Sequence, residues 1–512
     1  MNKLSHSPTD DAHGRLRRQA SLTRMYSSIP PITLPNLLLR LRAVLEEVVV
    51  QGAAFDMRGI VPEMQDSALN LAQYLALRRK DLRPLQQHLA ALGLSSLGRV
   101  ETHVEASLSA VVAVLEVLCG ERASLPEVAW TELDAAHQRI AGHADRLLGA
   151  APLGRDVRIM VTLPSQAAED SSIADSLVGA GMDVARINCA HDGPAGWRRM
   201  AEHVREASEE LGRPVRIAMD LGGPKIRTGA LGEGQVARLH VGDRLVVTRS
   251  EKPRPSGGGP PRIGCMLPEA LRTVREGDAI FFDDGKCSGV VRAVGPTEIE
   301  VQIQRAKEKG VKLRPDQGIN LPTTRLVMPA LTDRDREDLE TVVELADIVS
   351  LSFTQTAHDV RALRSALADL GRPDLGVIAK IETRTGFENL PTILQALMEG
   401  ASSGVMIARG DLAVELGYER LAEVQEEILW LCEAAHMPVI WATQVLESLA
   451  KKGIPSRAEI TDAAMGERAE CVMLNKGPYV LDAMAVLDDI LRRMQGHQRK
   501  KTPLLRALTS FG

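Results

Sequence analysis

Two short stretches of this chain end an apolar run on a carboxylate. VIAKIE (377–382) closes on Glu382 with Lys380 two residues earlier, and GVMIARGD (404–411) closes on Asp411 behind Arg409. Glu382 and Asp411 are hard oxygen donors. Two carboxylates completed by waters and substrate oxygens suit Mg²⁺, or Mn²⁺ in its place. Residues two apart in a regular strand point the same way, so Lys380 and Glu382 share a side. A lysine beside a metal-bound oxygen stabilises negative charge that develops as a bond breaks. ARGDLAVE reads as a strand leading into a helix, whose first backbone amides suit a substrate carboxylate.

Such groups need a scaffold that makes them converge. RIMVTL (158–163), VARINC (184–189), VRIAMD (215–220), IVSLSF (348–353), VIAKIE, GVMIARGD, PVIWAT (438–443) and CVMLNK (471–476) alternate with helical stretches. Continuous hydrophobicity marks strands buried on both faces. Eight such strands predict a (β/α)8 TIM barrel, although an open doubly wound sheet has a similar rhythm. In a barrel the polar groups at strand C-terminal ends do the chemistry. Here they are Arg186, Asn188, Asp220, Lys380, Glu382, Arg409, Asp411 and Thr443. Any one alone reads equally well as a solvated charge; the set, arriving strand by strand, argues against coincidence.

The 512 residues divide by pattern. Residues 1–33 read as a polar, disordered tail, and 34–150 as an α-helical N-terminal region with apolar residues at helical spacing. The barrel occupies 155–228 and 327–495. Between them, 229–326 reads as short strands with Gly and Asp turns, a small all-β, barrel-like lid inserted after strand three. Its segment EKPRPSGGGPPR (251–262) suits a surface loop better than a phosphate cradle. Residues 496–512 form a basic tail. With 44% hydrophobic and 25% charged residues and a net charge of -5, the composition is globular and gives no nucleic-acid or membrane footprint. No apolar run is long enough to span a bilayer, the N-terminus lacks a secretion signal, and the six scattered cysteines read as reduced thiols, so a cytoplasmic protein is expected.

VARINCAH, MDLGGPKIRTG, FFDDG, QGINLP, AKIETRTG, MIARGDLAVE, VIWATQVLES and SRAEITDAA follow one another in the order of the motifs of pyruvate kinases. Over residues 155–475 the chain resembles that family. The resemblance implies phosphoryl transfer from phosphoenolpyruvate to ADP, giving pyruvate and ATP, with a mobile β lid and a homo-oligomeric assembly. By position, Glu382 and Asp411 would bind the divalent metal, and Lys380 would stabilise the transferring phosphoryl group and the enolate. Arg186 and Arg227 would contact phosphate oxygens, and Asn188 and His191 the nucleotide phosphates. Thr443 would face the carbon that gains a proton, and Gly410 and Asp411 would join the substrate contacts.

The departures are specific. Ala190 stands where the family has a serine at its monovalent-cation site, and Lys225 where it has glutamate. The Lys225 ammonium, with Asn188 and Asp220, is expected to replace K⁺. Gln317 precedes GINLP where the family has lysine; Lys312 and Arg314 lie close by. NKGPY (475–479) replaces SGETA after strand eight, and LPSQA replaces the first-strand IGPAS. Residues 483–512 supply one helix and the basic tail in place of the family's C-terminal effector domain, so allostery through that domain is expected to be absent. Two other readings stay open: a metal-dependent pyruvate lyase or aldolase using Glu382, Asp411 and Arg409, and a non-catalytic phosphoenolpyruvate- or pyruvate-binding regulatory protein.

Overall fold

In the computed structural model of the protein, residues 32–121, 129–232, 238–253, 259–326 and 328–503 are described. The disordered-tail expectation for 1–31, part of the Gly/Pro linker (254–258) and the end of the basic tail (504–512) lie outside the described residues. The chain divides into two compact units, one of residues up to Phe55 with Ala72–Glu132, the other of Asp56–Leu71 with Leu133–Gly512. In the first, the helices Leu34–Ala53 and Val104–Leu118 bury Leu37, Leu41, Leu108 and Leu115, and Arg42 pairs with Glu116 at 2.6 Å.

The second unit contains the barrel. Its strands are β1 (Arg158–Thr162), β2 (Val184–Asn188), β3 (Arg216–Asp220), β4 (Ile348–Leu351), β5 (Gly376–Ile381), β6 (Ser403–Ala408), β7 (Val439–Ala442) and β8 (Cys471–Leu474). All pair in parallel. β1 pairs with β8 through Arg158–Cys471 and with β2 through Met160–Val184, so the sheet closes and the open-sheet alternative is excluded. Every residue of β5 and β6 is buried, as their uninterrupted apolar runs require.

The N-terminal mouth of the barrel is plugged. Leu147 and Leu148, ending the helix Ala129–Leu148, join the inward layer of Met160, Val184, Ala218, Ile348, Ile378 and Met406. The segment 56–71 attaches beneath β7: Asn70 donates to Ala434 O at 2.8 Å and Ser67 Oγ bonds His436 Nδ1 at 3.0 Å. Gly404 leaves room for the plug, since a Cβ there would lie 2.6 Å from Leu147 Cδ2 and 3.1 Å from Pro438 O. Gly404→Ala should therefore cost roughly 1–3 kcal/mol of stability through overpacking. A lowered denaturant midpoint with per-molecule activity retained is the expected result, because the substitution lies at the far end from the strand-end polar groups.

The insertion between β3 and β4 is built on a seven-stranded sheet, with a two-stranded pair, Arg238–Leu239 and Val311–Lys312, beside it. Its strand order is Ile319–Asn320, Ala279–Phe282, Cys287–Val294, Glu298–Arg305, Arg244–Thr248, Arg262–Cys265 and Thr228–Leu231. Just beside the two end strands, an Arg227–Gly318 bridge and the bond Ile319 N–H to Ile226 O (2.8 Å) bring the sheet back on itself. Its interior is a separate apolar cluster that includes Leu245, Phe282, Val291 and Ile299. Gly223, at φ +66°, turns the chain out of the barrel towards this insert; a Cβ there would meet Ser352 Cβ at 2.8 Å. Among the described residues no helix is long and apolar enough to cross a membrane.

Candidate active site

At the C-terminal ends of the barrel strands the buried charges form one network. Asp220 is fully buried, and Lys380 and Glu382 are 8% and 4% exposed, so each must be paired. Lys380 Nζ lies 3.3 Å from Asp220 Oδ2 and 3.3 Å from Glu382 Oε1, and donates to Ser352 Oγ at 2.8 Å. The parallel register places Asn188 beside Asp220, and Arg186 reaches that same carboxylate through Nε at 2.9 Å. Arg186 Nη1 also donates to Thr162 Oγ1 at 2.9 Å, which fixes the plane of the guanidinium. Glu382 turns its other oxygen to the Phe353 N–H.

The electrostatics follow from this packing. Desolvation alone would raise Asp220, but Arg186 and Lys380 override it and hold its pKa at about 2. Burial would lower Lys380; the charges of Glu382 and Asp220 reverse this and keep the ammonium above its ordinary value. Glu382 is held above the usual carboxylate range, first by burial and then by repulsion from Asp411, with Lys380 opposing.

Asp411 sits in the first turn of the helix Arg409–Leu416, which has no side-chain N-cap, so its first amides are left for another partner. Its carboxylate takes Lys225 Nζ at 3.1 Å and Asn320 Nδ2 at 3.4 Å, both from the insert side. Asn320 also donates to Glu415 at 3.4 Å, and burial pushes the Glu415 carboxyl up to about 7. Glu382 and Asp411 thus face one cavity and repel each other. Among the described residues no group of three or more His, Cys, Asp or Glu side chains could hold a metal. Two carboxylates fit a hard divalent cation whose remaining ligands are water and substrate oxygens.

A cavity of about 230 Å³ joins these groups and is lined by Arg186, Asn188, Lys225, Arg227, Lys380, Glu382, Gly410, Asp411 and Thr443. Thr443 and Gln444 adopt φ of +71° and +62°, an uncommon backbone for such residues. A Cβ at Gly410 would lie 2.9 Å from Thr443 Cγ2, so the bare glycine lets the helix start approach that threonine.

Not every strand-end candidate converges. Arg409 turns away from the cavity, stacks over Trp441 at 4.6 Å and is bound by Asp462 and the Ala442 carbonyl. His191 is exposed and does not line the cavity; partial desolvation, then Lys476 and Arg227, hold its imidazole below the ordinary value. Lys225 makes its ion pair with Asp411 and none with Asp220 among the described residues, while Asn188 Oδ1 accepts the Ala190 N–H at 3.2 Å. Gln317 Oε1 accepts the Arg314 N–H at 2.8 Å, so this amide caps its own loop. Arg227 Nη1 holds Asp316 O at 3.1 Å. Reading the sequence missed Ser352, Phe353, Asn320 and Thr162. The motif QGINLP contains Asn320, and IVSLSF contains Ser352, but neither position signals a partner by type or spacing.

The fold and this cluster define a (β/α)8-barrel protein with a lysine–carboxylate–arginine centre at its C-terminal face and a β domain inserted after β3. Residues 154–481 match the family described as pyruvate kinase, barrel domain. The chain belongs to the pyruvate kinase family. It is 36% identical over 311 residues to pyruvate kinase 1 of Trypanosoma brucei brucei, covering 59% of this chain and 60% of that one. With human pyruvate kinase PKLR it shares 35% over 334 residues, 62% and 56% of the two chains. With the pyruvate kinase of Agrobacterium vitis it shares 34% over 365 residues, 69% and 72%. The chain thus spans less than two thirds, between 56% and 60%, of the trypanosomal and human relatives.

Proposed function

We propose that the protein transfers the phosphoryl group of phosphoenolpyruvate to a nucleoside diphosphate, ADP in the first instance, and protonates the resulting enolate to pyruvate. The observation that supports this best is the position of Lys380, a buried ammonium between Asp220 and Glu382 at the floor of a cavity that also holds Asp411. A fixed charge in a dry site needs no reorganisation when negative charge moves past it. Arg186, locked by Asp220 and Thr162, and Arg227 present guanidiniums to the phosphoryl oxygens. Gly410 and Asp411 offer helix-start amides to the substrate carboxylate. Thr443, which lines the same cavity, serves protonation of the enolate carbon in this reading. Asn188 and His191 serve the nucleotide end. A divalent cation, Mg²⁺ or Mn²⁺, held by Glu382 and Asp411 would neutralise substrate phosphate and carboxylate charge. The inserted β domain, tied to the barrel through Lys225 and Asn320, acts as a lid that excludes water.

The same reading makes K⁺ dispensable. Lys225 already places an ammonium against Asp411, so the positive charge that a monovalent cation would bring is covalently present. The lyase reading loses Arg409, whose charge is committed to Asp462.

Purified protein given phosphoenolpyruvate, Mg²⁺ and a panel of nucleoside diphosphates should form pyruvate only when a nucleotide is present. Turnover should persist in tetramethylammonium buffer without K⁺. Collapse of the rate there would end the Lys225 assignment. Pyruvate proton exchange without phosphoenolpyruvate turnover would favour a lyase, and inertness in both assays a binding protein.

A further inference from the structure

At the opposite end of the barrel, among the strand N-termini, lies a second polar cavity of about 360 Å³. Arg146, Arg216, Arg364 and Arg372 line it, with Asp347 and Asp374. The arginines come from four places in the chain: the plug helix Ala129–Leu148, the start of β3, the helix Ala357–Asp369 and the loop before β5. Four cations line it against two carboxylates, and the pairing shows which of them lack a counter-charge. Arg372 is forked onto Asp374 at 3.0 and 3.2 Å. Asp347 is taken by Arg205 at 2.9 Å and by the Ile217 N–H at 2.8 Å, which leaves Arg216 at 3.6 Å.

Among the described residues Arg146 and Arg364 have no acidic partner of their own. Arg146 donates to Ala401 O at 3.0 Å, and Arg364 to Leu397 O at 2.9 Å and Ser403 Oγ at 2.7 Å. Arg364 Nε is buried with no hydrogen-bond partner among the described residues. Glu399, the acidic group that acts on Arg364, is already held by Arg361 at 2.7 Å. Burial accordingly lowers the Arg364 pKa, the direction expected of a guanidinium short of counter-charge.

We propose that this cavity is a binding site for a small phosphomonoester dianion, held chiefly by Arg146, Arg364 and Arg216 and separate from the substrate mouth. Convergent guanidinium forks match the oxygens of a phosphate, and two uncompensated charges match a dianion. Because Arg146 belongs to the plug helix and the other arginines to the barrel wall, the ligand fastens the plug to β3–β6. Binding at this site stabilises the folded barrel by mass action.

The test is calorimetric titration of the full chain with inorganic phosphate at low ionic strength, with citrate as a parallel arm. Two variants address the site without touching the mouth. Arg146→Gln removes an exposed cation that holds a single carbonyl. Gly400→Ala keeps all charges, but its Cβ collides with Arg364 Nη1 and displaces that flexible end. Phosphate should bind the wild type and bind each variant about tenfold more weakly, the loss of one charge-assisted contact. Phosphoenolpyruvate affinity and melting temperature without phosphate should stay at wild-type values in Arg146→Gln, which decides the matter if Gly400→Ala does not fold. Absence of phosphate binding, equal affinity in wild type and Arg146→Gln, or binding of citrate alone would each overturn the proposal.

Discussion

Lys380→Met should abolish pyruvate formation while also weakening the fold, and the two losses are separable. The ammonium is the shared counter-ion of Asp220 and Glu382, both buried, so its removal leaves carboxylates in a dry interior. Breaking a buried pair from one side costs about 3–5 kcal/mol. Arg186 still holds Asp220, which places the expected loss near the lower end, about 3 kcal/mol. Activity should fall further than stability accounts for, by on the order of a thousandfold per folded molecule, because the proposed transfer loses the preorganised charge assigned to it. Melting temperature measured beside nucleotide-dependent pyruvate formation distinguishes the two. Unimpaired transfer in the folded variant would falsify the role given to Lys380.

The second large effect is expected at Asp411. Asp411→Ala removes one of two carboxylates facing the cavity and releases both Lys225 and Asn320. The Mg²⁺ or Mn²⁺ concentration giving half-maximal activity should rise roughly a hundredfold, since even outer contacts to a metal ligand are worth ten- to a hundredfold. Direct Mn²⁺ titration by electron paramagnetic resonance should show the same shift. Glu415→Gln is the control: it touches the same Asn320 but does not line the cavity of the candidate site, so metal affinity should stay close to wild type. A normal Mn²⁺ affinity in Asp411→Ala would remove this aspartate from the proposed metal set.

Much of this centre is legible in the chain because its information is local. β5 and β6 are short apolar runs, and the polar residues that end them must emerge at one face of a parallel barrel. Lys380 and Glu382 therefore had to be neighbours once the strand was assigned. Arg186 and Asp220 meet for a related reason, since their strands are adjacent and Arg186 lies two residues before Asn188, the register partner of Asp220. Arg409 shows the limit of such reasoning. It follows the last residue of β6, yet it opens a helix, and the available carboxylate of Asp462 together with the Trp441 face draws it outward.

Burial periodicity and strand polarity act over a few residues, so the eight strands, the insertion after the third, and the two carboxylates and lysine at the strand ends are written locally in the chain. What each charge answers to is set by the closed barrel and its insert. Lys225 and Asp411 lie 186 positions apart, and Asn320 and Asp411 lie 91 apart. Their meeting depends on barrel closure and on how the insert returns to β4, not on any local preference. The same holds at the far mouth, where four arginines with nothing in common along the chain surround one cavity once the plug helix seats Leu147. Spacing along a chain fixes which way a side chain leaves its own element; the closing of the barrel fixes what it finds there.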